Sequence, residues 1–124
     1  MNRHAKNVLV VDDSESMRRI VRRVLETLGV VIYEGSRVRE GVQILMQKPI
    51  DLLITDGNML EMDGLEFTRI LRSHSLFEEL PILMLSNHTS EECRQQALKA
   101  GIDVFVSKCA PFDEWREQVK RLLD

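Results

Sequence analysis

Asp12 and Asp13 follow the apolar run Val8–Val11, and Asp56 closes the stretch Leu-Leu-Ile-Thr-Asp. Ser86 follows Ile82–Leu85, and Lys108 lies just past Val104–Val106. Carboxylates, a hydroxyl and an amine have a definite joint chemistry if the chain brings them together. Carboxylates gathered in one place repel unless positive charge sits among them. Lys108 supplies one such charge. A hard divalent cation supplies another, and Mg²⁺ favours few carboxylates, several waters and a phosphate oxygen. A carboxylate is also a competent acceptor in covalent phosphoryl transfer. The charge that develops on the equatorial phosphoryl oxygens is what a cation and a lysine neutralise, and the Ser86 hydroxyl could hydrogen-bond one of those oxygens. Singly, each residue has an ordinary reading: an acidic helix start for Asp12-Asp13, a turn for Asp56-Gly57, a cap for Ser86, a solvated amine for Lys108. Their joint placement carries the inference.

That placement depends on the elements between them. The apolar runs Val8–Val11, Val30–Tyr33, Leu52–Thr55, Ile82–Leu85 and Val104–Val106 are short, nearly continuous and rich in Val and Ile. Strands buried on both faces look like this. Helical periodicity separates them. Met17, Ile20, Val21, Val24 and Leu28 form one stripe; Val38, Val42, Leu45 and Met46 a second; Leu65, Ile70 and Leu71 a third. The fourth helix opens on a Thr89/Glu92 capping pair and ends at Gly101. The fifth carries Phe112, Trp115, Val119, Leu122 and Leu123 after Pro111. Strand and helix in regular alternation predict an α/β fold, one parallel sheet covered on both faces. Right-handed crossovers then put every strand's C-terminal end on one edge, where open sheets of this kind build their sites.

The chain has 124 residues, 44% hydrophobic and 30% charged, with a formal net charge of −3. It reads as one globular domain over residues 1–124 with no output domain after it. The acidic balance gives no general attraction to nucleic acid or anionic lipid, and no apolar run approaches the roughly 20 residues needed to span a bilayer. The short polar start, Met1 to Lys6, lacks a secretory signal. Cys93 and Cys109 show no metal or disulfide spacing, so a cytoplasmic setting is expected. His4 and His74 have no partner spacing and are expected to be exposed.

The stretches Val-Leu-Val-Val-Asp-Asp-Ser (8–14), Asp-Leu-Leu-Ile-Thr-Asp-Gly-Asn-Met (51–59), Met-Asp-Gly (62–64), Pro-Ile-Leu-Met-Leu-Ser (81–86) and the Lys108 segment resemble the receiver domains of bacterial two-component response regulators. The likeness covers essentially the whole chain. Within that CheY-like superfamily, Met17-Arg-Arg-Ile-Val-Arg22 and Asn58-Met59 look most like the stand-alone chemotaxis type. The resemblance implies a flavodoxin-like (βα)5 fold with strand order 2-1-3-4-5. It implies Asp56 as phosphoacceptor, and Mg²⁺ bound by Asp13, Asp56 and the Asn58 carbonyl, with Asp12 acting through water. Lys108 would contact the phosphoryl group, while Ser86 and Phe105 would be the switch residues that move inward. The donor would be a phosphohistidine on a sensor histidine kinase or histidine phosphotransfer protein. A downstream protein would read the fourth helix, fifth strand and fifth helix, with the chain a monomer or a phosphorylation-dependent dimer. No turnover of a separate substrate is implied.

Several positions depart from the family pattern. Lys108 is followed by Cys109 and Ala110 before Pro111, where the family has Lys-Pro. A cis bond before a non-proline costs about 2.5–4 kcal/mol, so this turn must be built differently, a cis Ala110–Pro111 bond being one way. Leu60 replaces a common proline, Asn87 a very small residue, and Phe105 the commoner tyrosine. Asn58 and His88 stand where similar proteins tune dephosphorylation, and are expected to set the phosphoryl lifetime. Arg18, Arg19, Arg22 and Arg23 read as a solvated helix face or, on the resemblance, a kinase-docking face. A phosphorylation-independent adaptor on the same fold is the alternative, kept open by Asn87 and the altered Lys108 turn. A flavin protein fits poorly because acidic loops would repel its phosphate. An Asp-nucleophile phosphatase normally needs an Asp-x-Asp pair that Asp12-Asp13 is not.

Overall fold

The computed structural model describes residues 5–60 and 62–124, so His4 lies outside them. Strands β1 (Asn7–Val11), β2 (Val31–Gly35), β3 (Leu52–Asp56), β4 (Ile82–Ser86) and β5 (Val104–Ser107) alternate with helices α1 (Glu15–Leu25), α2 (Val38–Gln47), α3 (Gly64–Arg72), α4 (Glu91–Ala100) and α5 (Phe112–Leu123). All strand pairs are parallel, in the order β2-β1-β3-β4-β5. This is the doubly wound, flavodoxin-like arrangement expected from the sequence.

Strand side chains alternate between faces, so each apolar run serves two cores. Val8, Val10, Leu52, Ile54, Leu83 and Leu85 face one way and meet Val21, Val24 and Leu25 of α1 with Trp115 and Val119 of α5. Leu9, Val11, Leu53, Ile82 and Met84 face the other way, against Leu45 of α2, Phe67 and Leu71 of α3 and Ala97 of α4. Double-sided burial holds for the central strands β1, β3 and β4. The edge strands are only half covered, and Val31 is exposed. β2 runs to Gly35 rather than stopping at Tyr33, because it pairs residue for residue with β1 from Asn7↔Val31 to Val11↔Gly35.

The helix ends differ in detail from the sequence pattern. α4 is capped by Ser90, whose Oγ accepts from the Cys93 amide at 3.2 Å, one residue later than the Thr89/Glu92 pair suggested. Gly101 does terminate it, in the left-handed conformation at φ 110° that a glycine adopts without strain. As expected, α5 begins directly after Pro111. Ile20, Met46, Ile70 and Phe112 fall at the margins of their stripes and are exposed. His74 is exposed as expected. Among the described residues no helix is long and apolar enough to cross a membrane.

Candidate functional site

The parallel topology carries the ends of β1, β3, β4 and β5 to one edge, and the predicted acidic residues meet there. One carboxylate oxygen from each of Asp12, Asp13 and Asp56 lies within 4.8 Å of the others. Asp12 and Asp56 are buried while Asp13 is exposed, so the cluster has a dry floor and a wet rim. Lys108 Nζ sits 2.8 Å from Asp56 Oδ1 and 3.7 Å from Asp12 Oδ2. Burial pushes the Asp12 carboxyl above its ordinary value, against a hydrogen bond from the Ser14 amide. The neighbouring Asp56 and Asp13 push the same way as burial, and Lys108 opposes them. One lysine therefore leaves the charge on Asp12 under-compensated. An all-oxygen donor set with surplus negative charge and an open side fits a hard divalent cation such as Mg²⁺.

Lys108 reaches this position with Cys109, not a proline, directly after it. Among the described residues every peptide bond is trans, so the Ala110–Pro111 bond does not make the turn. Ser107 makes it instead. Its Oγ accepts from the Cys109 amide at 2.9 Å, and its carbonyl accepts from the Ala110 amide at 3.1 Å and the Trp115 indole at 3.2 Å. The Lys108 amide donates to the Ser86 carbonyl at 2.9 Å, extending the β4–β5 pairing past the sheet.

The loop after β3 is seated by close backbone approach. The Gly64 amide donates to the Gly57 carbonyl at 3.0 Å. A Cβ on Gly64 would collide with the carbonyl oxygen of Asp56 and with Met84, so only glycine lets α3 start this near the acidic cluster. Asn58 pairs with Asp63 across this loop, and Met59 is buried beside it. Leu60 is 96% exposed, yet its amide donates to Asp13 Oδ2 at 2.9 Å.

Among the described residues the Ser86 hydroxyl makes no hydrogen bond to the carboxylates. Ser86 Oγ accepts from the His88 amide at 3.0 Å and donates to the His88 carbonyl at 3.2 Å, so its hydroxyl is engaged with its own loop. Phe105 is half-buried and, with Ser86, Met84, Asn58, His88 and Cys93, lines a cavity of about 180 Å³. Asn87 and the ring-bearing His88 are exposed.

The arginine run divides. Arg18 Nη1 donates to the Asp12 carbonyl at 2.7 Å and its Nε to Glu34 Oε1 at 2.9 Å. Arg22 grips Glu34 Oε2 through Nε at 2.8 Å and Nη2 at 2.6 Å. Burial would raise the Glu34 carboxyl, but these two guanidiniums outweigh it and hold the group below its ordinary value. Arg18 and Arg22 are thus internal braces from α1 to β2. Arg22 is exposed even so, while Arg19, in a loose 3.5 Å pair with Glu15, and exposed Arg23 stand outside the brace. Sequence reasoning missed this brace; its one signal was an acidic residue near the end of an otherwise apolar strand.

The family described as response regulator receiver domain matches residues 8–120. The chain is 38% identical over 103 residues to chemotaxis protein CheY1 of Helicobacter pylori, covering 82% of this chain and 83% of that protein. It is 35% identical over 102 residues to the KDP operon transcriptional regulatory protein KdpE of Escherichia coli, covering 82% of this chain and 44% of that protein. Chemotaxis protein CheY4 of Vibrio cholerae superposes with a TM-score of 0.89 at 31% identity, over 97% of this chain and all of that one.

Proposed function

The chain belongs to the response regulator receiver domains, and from that premise we propose that it is a phosphorylation-operated signalling switch whose phosphoacceptor is Asp56. The observation that carries this is Lys108 Nζ at 2.8 Å from an Asp56 carboxylate that shares its edge with Asp12 and Asp13. A carboxylate oxygen of Asp56 attacks the phosphorus of a phosphohistidine. The O–P bond forms as the P–N bond breaks, and the departing imidazole nitrogen takes the electron pair and ends protonated. Lys108 orients the acceptor and holds positive charge against the incoming oxygens. Asp13, Asp56 and the Asn58 carbonyl would hold Mg²⁺, with Asp12 acting through water. When bound, that ion supplies charge compensation for the transferring phosphoryl group.

The protein signals rather than turning over a substrate. Ser86 must give up its bonds to His88 to reach a phosphoryl oxygen, and Phe105 has the cavity beside it to enter. Those two moves would change the face made by α4, β5 and α5, which a downstream protein reads by population shift. Asn58 and His88 line the same cavity and set how long the phosphoryl group lasts; equal decay rates in wild type and an Asn58→Ala, His88→Ala double variant would remove that role. The donor is a sensor histidine kinase or a histidine phosphotransfer protein in the cytoplasm, and charge-guided docking on α1 falls to Arg19 and Arg23. The grounds for a phosphate-independent adaptor are weak, since Lys108 is aimed at Asp56 and Asn87 is exposed.

Incubation with acetyl phosphate and Mg²⁺ followed by intact mass tests the reading. Wild type should gain one phosphoryl mass and Asp56→Asn none. An unmodified wild type would overturn it.

A further inference from the structure

Leu60 makes almost no use of its side chain, which is 96% exposed. Its backbone is another matter. Among the described residues, the Leu60 amide is the hydrogen-bond donor to the Asp13 carboxylate, at 2.9 Å to Oδ2. The bond joins two loops that are 47 residues apart in the chain. It is set from both sides: Met59, buried in the core, anchors the loop from below, and the Asn58–Asp63 bridge closes it. Asp13 is the exposed member of the acidic cluster. Left free, an exposed carboxylate samples several rotamers, and ordering it on binding costs free energy. A bond to one oxygen removes part of that cost and leaves the second oxygen for a cation. A proline at residue 60 has no N–H and cannot make the bond; any other residue can.

We propose that the Leu60 amide is a positioning group for the cation site, acting as a latch that holds Asp13 and couples metal binding to the order of the β3–α3 loop. This rests on the reading of Asp12, Asp13 and Asp56 as the Mg²⁺ site. Hydrogen-bond partners of ligating carboxylates commonly matter by 10–100-fold in metal affinity. Because coupling is reciprocal, cation binding in turn steadies residues 57–60.

Calorimetric titration with Mg²⁺ on the whole chain tests this with four proteins: wild type, Leu60→Ala, Leu60→Pro, and a protein with an ester in place of the Met59–Leu60 amide. The ester removes the N–H without the ring's constraint on the backbone, so it remains informative if the proline variant folds poorly. Leu60→Ala should bind like wild type, while the proline and ester proteins should bind about 10-fold more weakly. Equal affinities for the ester protein and wild type would overturn the proposal, as would weakened binding in Leu60→Ala, which keeps the N–H. A readout without metal separates the latch from the site. Hydrogen exchange at the Leu60 amide should be slowed in wild type and in Leu60→Ala, and fast in Asp13→Ala. Fast exchange in wild type would show that no latch exists. A wild type that binds no Mg²⁺ would overturn the cation-site reading, and this proposal with it, even if the slowed exchange were seen.

Discussion

The two helices flanking the acidic edge of the sheet, α1 and α4, are built from different materials. On the acidic side, α1 buries the branched side chains Val21, Val24 and Leu25 and throws Arg18 onto the Asp12 carbonyl and Glu34. Across the edge, α4 buries only Ala97 and Ala100 and leaves Leu98 exposed. Beside it lies the 180 Å³ cavity next to Ser86 and Phe105. Few buried apolar contacts and spare volume mark segments that open at low free-energy cost. Helix α1 is therefore the better packed of the two, and α4, on the face proposed to carry the signal outward, is the more loosely held. On the proposed function, the better-packed flank lies beside the acidic cluster and the looser one beside the switch residues Ser86 and Phe105.

Truncation on each flank is the most forceful way to break that comparison. Leu25→Ala removes a fully buried side chain from α1 and should cost about 2–5 kcal/mol in chemical denaturation. Ala97→Gly in α4 removes one methyl and loosens a helix, at roughly 1 kcal/mol. Equal losses would mean the flanks are packed alike. Next in size is the chemistry itself. Lys108→Ala should slow phosphorylation by acetyl phosphate by about 10²–10³-fold, the usual cost of removing one fixed stabiliser of developing charge. The same change should tighten Mg²⁺ binding, because a positive charge no longer competes among the carboxylates. An unchanged rate would take Lys108 out of the reaction.

The asymmetry was only partly legible in the sequence. Short, nearly continuous apolar runs of Val, Leu and Ile, alternating with helical stripes, led to the sheet and so to the convergence of Asp12, Asp13, Asp56 and Lys108. Those are consequences of topology, and topology follows from apolar pattern. The Ser107-centred turn that aims Lys108 was not legible, because Cys109, Ala110 and Trp115 converge on Ser107 only once α5 has packed. The Arg18–Glu34 brace was hidden for a related reason. Four arginines on one helix look alike in one dimension, and only the position of β2 beside β1 decides which of them meet Glu34. The Ser90 cap shows the ordinary one-residue uncertainty of helix starts.

The brace offers a smaller and more selective test. Arg18→Gln removes charge-assisted bonds to Glu34 and the Asp12 carbonyl, and should cost about 1–2 kcal/mol of stability, since the site is only partly shielded from water. Arg19→Gln, its exposed neighbour, should cost nothing measurable but slow phosphotransfer from a kinase at low salt. If both substitutions destabilised equally, Arg18 would be no brace.

The smallest effect is the most diagnostic of strain in the acidic centre. Burial raises the Asp12 carboxyl above 3.8, so between that value and the raised one the folded chain binds more protons than the unfolded chain. Stability must then fall as pH rises through that window, and at neutral pH wild type carries the whole penalty. Asp12→Asn keeps an oxygen for the Ser14 amide but sheds the charge. Without divalent cation it should melt at a higher temperature than wild type at neutral pH. The gain should vanish as pH falls below about 3.8, where the carboxyl is protonated in both folded and unfolded chains. A difference that stayed constant with pH would show that Asp12 is not strained. Added Mg²⁺ should reverse the order at neutral pH, because a ligand that binds only the folded state stabilises it in proportion to its affinity, and wild type alone keeps the full set of carboxylates. On the proposed reading, the under-compensated charge at Asp12 is the reserve that a cation would draw on.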